Sequence, residues 1–220
     1  MSRVTIKEVK QHPRVIAFLE AADQYMSAVG YTEHGQRHAK LVSNIAHNIL
    51  TYLEYNQRLL ELAAIAGYLH DIGNMIGRTR HEQSGALLAI EILERLKMDS
   101  NEIALIAGAI GNHEQETGDP INAIAAAVIL ADKSDVHQSR VRPNLKIFDI
   151  HDRVNYASKK SFLRVNHTKK IITLELTIDT KASQVMEYFE IFLTRMIMCR
   201  RAAKFLKCNF ELLINKIKLL

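Results

Sequence analysis

The sequence predicts a mainly α-helical protein: a helical bundle over residues 1–145, with a small C-terminal α+β addition, a β-hairpin plus a long helix, packed on it over 146–220. Three observations carry this reading. From residue 6 to residue 140 the apolar residues recur at three- and four-residue intervals, with breaks at turn-forming residues. The segment "FLRVNHTKKIITLELTID" (162–179) alternates apolar and polar residues instead, around the turn-like "NHTKK". Hydrophobic residues make up 48% of the chain and only 3 are Pro, which suits a packed helical core and argues against disorder.

Taken in order, the periodicity predicts helices near 13–29, 35–55, 57–71, 80–97, 100–113 and 121–138. Gly30, "GNMIG" and "TGDP" (117–120) mark three of the loops, Pro120 favouring the start of a helix. After the hairpin a long helix is expected over about 181–206. Its run "VMEYFEIFLTRMIMCRRAAKFL" is apolar on more than one face, so one side packs on the bundle and another on the hairpin or on a partner subunit in a homodimer. The tail "FELLINKIKLL" is read as a third strand.

The totals exclude several classes. No stretch reaches the roughly 18 uncharged apolar residues of a membrane span, and "MSRVTIKEVKQHPR" lacks the apolar core of a signal peptide, so a cytoplasmic protein is expected. Cys199 and Cys208 have neither the number nor the spacing of a disulfide framework or zinc knuckle, which predicts reduced thiols. The net charge of +5 is a mild excess, and no Lys/Arg block interleaved with aromatics appears, so no specific nucleic-acid partner is expected. One local cluster, Lys133, Arg140, Arg142 and Lys146, suits a phosphate-bearing small molecule.

Chemistry concentrates in the bundle, where His38, the doublet His70-Asp71, His81, His113 and Asp132 fall on different predicted helices. A lone histidine on an apolar helix is more often a satisfied core residue than a ligand. Six such positions spread over facing helices are how bundle-core metal sites are built. Imidazole with carboxylate suits Fe, Mn, Zn, Co or Ni better than Ca, with Mg a further candidate, and a carboxylate can bridge two ions where an imidazole holds one. Asp71 is the natural bridge.

At these positions the sequence resembles the HD-domain superfamily of metal-dependent phosphohydrolases. "HAKLVSNIA" (38–46) looks like its first helix, "YLHDIG" (68–73) like its naming doublet and "VILADKSD" (128–135) like its closing aspartate motif. The resemblance implies that His38, His70, Asp71 and Asp132 bind one metal. In binuclear members two more histidines intervene, matched by His81 in "RHEQSGA" and His113 in "GNHE". The cyclic di-GMP phosphodiesterases of the HD-GYP subgroup carry paired histidines and a Gly-Tyr-Pro motif where this chain has Asn112-His113 and "EQETGDP". The compact ligand order is instead similar to bacterial diadenosine tetraphosphate hydrolases of the same superfamily.

The implied reaction is attack of an activated water on phosphorus, since two cations about 3.5–4 Å apart can share a water and lower its pKa. Asp71, Lys133 and Asp135 are the expected catalytic set, with Asp135 orienting the lysine or protonating the leaving group. Lys133, Arg140 and Arg142 would hold phosphate, and His34, on the face of His38, joins them or sits exposed. Arg37 would pair with a site carboxylate or face solvent. Glu82 and Glu114 would bond the distal nitrogens of ligand histidines. The expected function is a phosphohydrolase or phosphodiesterase acting on a nucleotide or dinucleotide. The alternative is a nucleotide-sensing module that keeps the metal site and turns over little.

Overall fold

A capping box opens the first helix: the Thr5 hydroxyl accepts from the Glu8 N–H, and the Glu8 carboxylate accepts from the Thr5 N–H at 2.7 Å. The computed structural model describes residues 3–114, 118–142 and 149–220. Helix α1 (Ile6–Gln11) is followed by α2 (Pro13–Ala28), which starts on Pro13 as a residue with no N–H to satisfy. Next come α3 (Gln36–Tyr52) and α4 (Gln57–Leu69), then a 3-10 turn over Ile72–Met75, then α5 (His81–Arg95), α6 (Ser100–Gly111) and α7 (Ala123–Lys133). Asn56, Asp99 and Asn122 cap α4, α6 and α7 by accepting first-turn N–H groups.

Helix α7 is the axis of the bundle. Ten residues, Ile124 to Lys133, are buried, and the helix packs against α3, α4, α6 and α9. A helix apolar all round has no solvent face and belongs at the centre. Its C-terminal end therefore delivers Asp132 and Lys133 into the interior.

The C-terminal part begins with α8 (Ile150–Ala157), capped by Asp149 through a second capping box with Asp152. Strands β1 (Ser158–Asn166) and β2 (Ile171–Ile178) form the expected antiparallel hairpin, turning through residues 167–170. Helix α9 (Val185–Phe205) then crosses over to β3 (Asn209–Ile214), which lies parallel to β2, and β4 (Ile217–Lys218) closes an edge in the order β1-β2-β3-β4. The inner face of α9 buries Tyr188, Phe192, Met196, Cys199, Ala202 and Ala203, chiefly against α7 and β3. Both cysteines are buried.

The structure differs from the sequence reading in four places. Helices α1 and α8 are absent from that reading, because six and eight residues leave too little periodicity to register. Helix α4 stops at Leu69, not 71, since His70 and Asp71 turn into the 3-10 segment. Helix α7 stops at Lys133, not 138: the Ser134 N–H closes on Leu130 O, and the chain then turns so that Asp135 faces α3. The boundary at 145/146, Lys146 and residue 117 of "TGDP" lie outside the described residues. No described helix is long and apolar enough to cross a membrane.

Two glycines set the approach of the elements that carry the doublet. At Gly67 an added Cβ would meet the Ser43 backbone at 3.1 Å, where α3 and α4 cross. At Gly73 it would lie 2.0 Å from the His81 carbonyl oxygen and 2.5 Å from the Gly85 nitrogen, so the turn after the doublet can rest on the start of α5 only without a side chain. Gly73→Ala is expected to destabilise the chain by about 2–4 kcal/mol in urea unfolding. Gly30→Ala, at φ 84 with open space around it, should cost about 1 kcal/mol. Equal costs would contradict the close-approach account.

Candidate metal centre

Four histidines present one nitrogen to the same point, and each is held there by an acceptor on its other nitrogen. His70 follows the end of α4 and donates Nδ1–H to Gly67 O at 2.9 Å. His81 opens α5 and donates to Arg78 O at 3.1 Å. His113, just past α6, donates to Ile110 O at 2.6 Å. In all three the acceptor is the carbonyl three residues earlier. His38, inside α3, has no free carbonyl and uses the Asp135 carboxylate, 2.7 Å from its Nδ1. Carbonyl and carboxylate oxygens only accept, so each Nδ1 carries the proton and each Nε2 is a bare lone pair.

The lone pairs fall into two halves. His38 and His70 bring their Nε2 atoms to 3.2 Å of each other, and His81 and His113 bring theirs to 3.1 Å. Asp132 Oδ1 joins the first half, 3.2 Å from His38 Nε2 and 3.7 Å from His70 Nε2. Asp71 spans both: Oδ2 is 3.4 Å from His70 Nε2 and 3.6 Å from His38 Nε2, while Oδ1 is 3.2 Å from His81 Nε2 and 3.8 Å from His113 Nε2. All six residues are buried. Facing acceptors at this spacing repel unless a cation lies between them. Ligands about 2.1 Å from one ion lie roughly 3.0–3.4 Å apart along a coordination edge, so the donor set fits divalent metal. Metal-capable groupings accordingly include His38, His70 and Asp71, then His70, His113 and Asp132, then Asp71, His81 and His113.

Among the protein's own charges the carboxylates are held low and His70, against burial, is raised, as opposite charges packed together require. Burial alone would raise the Asp71 carboxyl, but His70, His81 and His34 outweigh it and hold it well below the usual range. For Asp132, Lys133, His38 and His70 likewise override burial. Burial first, then repulsion from His70 and His81, pushes the His113 imidazole down to about 3, leaving it neutral and able to coordinate.

Beside the cluster, with His81 as its shared member, opens a cavity of about 720 Å³, lined by residues from the loop before α3, from 78–82, and from α8 and α9. Arg78, Arg80, Arg140 and Arg195 line it with His34 and His81, and Asp149, Asp152 and Asn155 of α8 supply an acceptor-rich wall. Among these Arg78 stands 3.0 Å from His81 Nε2 and 3.0 Å from Glu114 Oε2.

Several predicted site residues lie elsewhere than expected. Asp135 touches neither Lys133 nor the cavity; it bonds His38 and is in turn held by Arg37 at 2.8 Å and Arg140 at 3.4 Å. Arg37 thus pairs with a site carboxylate, and Asp135 faces His38 rather than the cavity. Lys133 is buried, with its Nζ 2.6 Å from Asp132 Oδ2, and it does not line the cavity. Arg142 is outside the cluster, because Asp23 and the carbonyls of Tyr31 and Thr32 hold its guanidinium. His34 lines the cavity, but it donates Nδ1–H to Thr32 O and offers Nε2 to Arg140 at 2.9 Å. Burial first, then Arg140, keeps this ring neutral, so it positions an arginine and is not itself a cation for phosphate. Arg140 does reach the cavity. Glu82 lies 3.4 Å from His81 Nδ1 as expected of a distal partner, whereas Glu114 faces Arg78 and the Nε2 side.

The sequence reading missed Arg78, Arg195 and the α8 wall. Arg195 is embedded in an apolar run, and Arg78 lies between two motifs without belonging to either. For α8 a signal existed: "DIHD" (149–152) is a capping-box pattern.

Residues 35–136 match the family model of the HD domain. The stretch that matches holds all six residues of the cluster and is similar to the HD domain. An uncharacterized protein of Methanocaldococcus jannaschii is 28% identical over 200 residues, covering 80% of this chain and 76% of its own. A crystal structure of a predicted HD superfamily hydrolase from an uncultured Thermotogales bacterium superposes with a TM-score of 0.46 at 24% identity, covering 61% of this chain and 75% of the other.

If Asp135 fixes the tautomer and angle of His38, Asp135→Ala should lower the affinity of the centre for Co(II) by roughly 10–100-fold, read by competition with a chromophoric chelator. An unchanged affinity would contradict that role.

Proposed function

We propose that the chain is a hydrolase of phosphoester or phosphoanhydride bonds in a nucleotide or dinucleotide, using two divalent transition-metal ions. His38, His70 and Asp132 would hold one ion, His81 and His113 the other, and Asp71 would bridge them. When bound, the ions supply Lewis acidity toward phosphoryl oxygens and an activated water as nucleophile. The observation that carries this reading is the convergence of four Nε2 lone pairs and two carboxylates beside an arginine-lined cavity that shares His81 with them.

The chain's own residues divide the remaining work. Asp71 offers one oxygen to each half of the site, which sets the spacing of the two halves. Arg140, held by His34 and Asp135, and Arg78, held by Glu114, present guanidinium groups suited to non-transferred phosphate and to charge developing on the phosphoryl group. Lys133 neutralises Asp132 rather than substrate. The volume of about 720 Å³ falls in the range of small-molecule sites and accommodates a nucleotide. The acceptors of α8, Asp149, Asp152 and Asn155, suit the hydroxyls and amines of a nucleoside.

The test is product release from mononucleotides, dinucleoside polyphosphates and cyclic dinucleotides with Mn, Fe(II), Co or Zn supplied. Wild type is expected to hydrolyse one class, and Asp71→Ala to lose at least about 10³-fold in kcat. Arg140→Ala should raise KM for the same substrate by about tenfold or more. Tight nucleotide binding with no turnover by any metal form would favour the sensing module over the enzyme.

A further inference from the structure

Helix α9 has two working faces. Its inner face lines the cavity with Phe192 and Arg195 and packs on α7. Its outer face exposes Met186, Glu190, Leu193, Thr194, Ile197, Arg200, Arg201, Lys204 and Phe205, spaced at helical intervals along the whole element. Four of these are large and apolar: Met186 is 65% exposed, Leu193 53%, Phe205 44% and Ile197 42%. A row of this length, about 30 Å for 21 residues, is more than scattered surface hydrophobes.

On that face a central apolar pair is flanked by an acid toward the N-terminal end of the helix and by bases toward its C-terminal end. About Arg195 as the midpoint, Leu193 mirrors Ile197, the acidic Glu190 mirrors the basic Arg200, and Met186 falls opposite Lys204, with Phe205 beside it. Neither Glu190 nor Arg200 has a hydrogen-bond or ion-pair partner among the described residues, whereas Arg201 pairs with Asp119. A surface complementary to its own image under two-fold rotation is the requirement for an isologous contact.

We propose that the outer face of α9 docks a second copy of this chain, with the two α9 helices antiparallel and Glu190 of each opposite Arg200 of the other. The antiparallel sense follows from the charges. A parallel pair would set Arg200 and Lys204 against their own copies, while the antiparallel pair sets acid against base and apposes opposite ends of the helix dipoles. The apolar centre, Leu193 and Ile197, is the part that loses water on contact. Because the same helix carries Phe192 and Arg195 on its other side, the two cavities of such a dimer share one structural wall. The contact does not depend on the hydrolase reading.

Sedimentation equilibrium of the full chain over a micromolar concentration series tests this. The wild type is expected to shift from 25.0 kDa toward twice that mass as concentration rises. Leu193→Glu, an exposed position whose variant should keep its helical circular dichroism, is expected to weaken association at least about tenfold. Glu190→Arg and Arg200→Glu should each weaken it, and the double variant Glu190→Arg with Arg200→Glu should restore it. A wild type monomeric throughout would overturn the proposal, as would a dimer indifferent to Leu193→Glu. Loss of the dimer in Leu193→Glu without rescue in the charge swap would overturn the antiparallel pairing.

Discussion

The centre of this protein depends on where four protons sit. Each site histidine gives its Nδ1–H to an oxygen that can only accept, and this leaves four Nε2 lone pairs aimed at a buried point already carrying two carboxylates. Without that arrangement the rings could donate to Asp71 and Asp132, and the cluster would close on itself as an ordinary hydrogen-bond network. With it, the interior keeps a surplus of electron pairs that only cations satisfy well. Three of the acceptors are backbone carbonyls three residues upstream, so no further side chain has to be supplied for them.

The fold is arranged around this constraint. An all-apolar α7 runs through the middle of the bundle and carries Asp132 at its end, while two close approaches free of side chains, at Gly67 and Gly73, set the doublet against α3 and α5. The early stop of α7 has the same logic, since it turns Asp135 back toward His38, the one ligand histidine without a free carbonyl of its own. The C-terminal part walls the cavity through α8 and through Arg195 of α9.

Most of the bundle was legible because long amphipathic helices announce themselves by period. The six converging residues were legible because imidazoles and carboxylates in that order, on successive helices, are how a bundle-core metal site is written in sequence. What was not legible follows from distance in sequence. Arg142 is two residues from Arg140, yet one guanidinium faces the cavity and the other Asp23, a difference set by the 3-10 turn over Gln138–Arg140. Lys133 stands beside a ligand, and its charge is taken up by that ligand rather than by the cavity. His34 shares a helix turn with His38 on paper but precedes α3, where Thr32 and Arg140 decide its role. Charge and spacing locate such residues near a site without saying which way they point.

The central claim is that Asp71 joins two metal-binding halves, and it is tested most directly by loading the protein with Co(II) and recording its electron paramagnetic resonance. Wild type should take up two ions per chain with magnetically coupled spins, while His113→Ala should keep one ion with an uncoupled signal. Two uncoupled ions in wild type, or a single ion whose signal is unchanged by His113→Ala, would contradict a bridged pair.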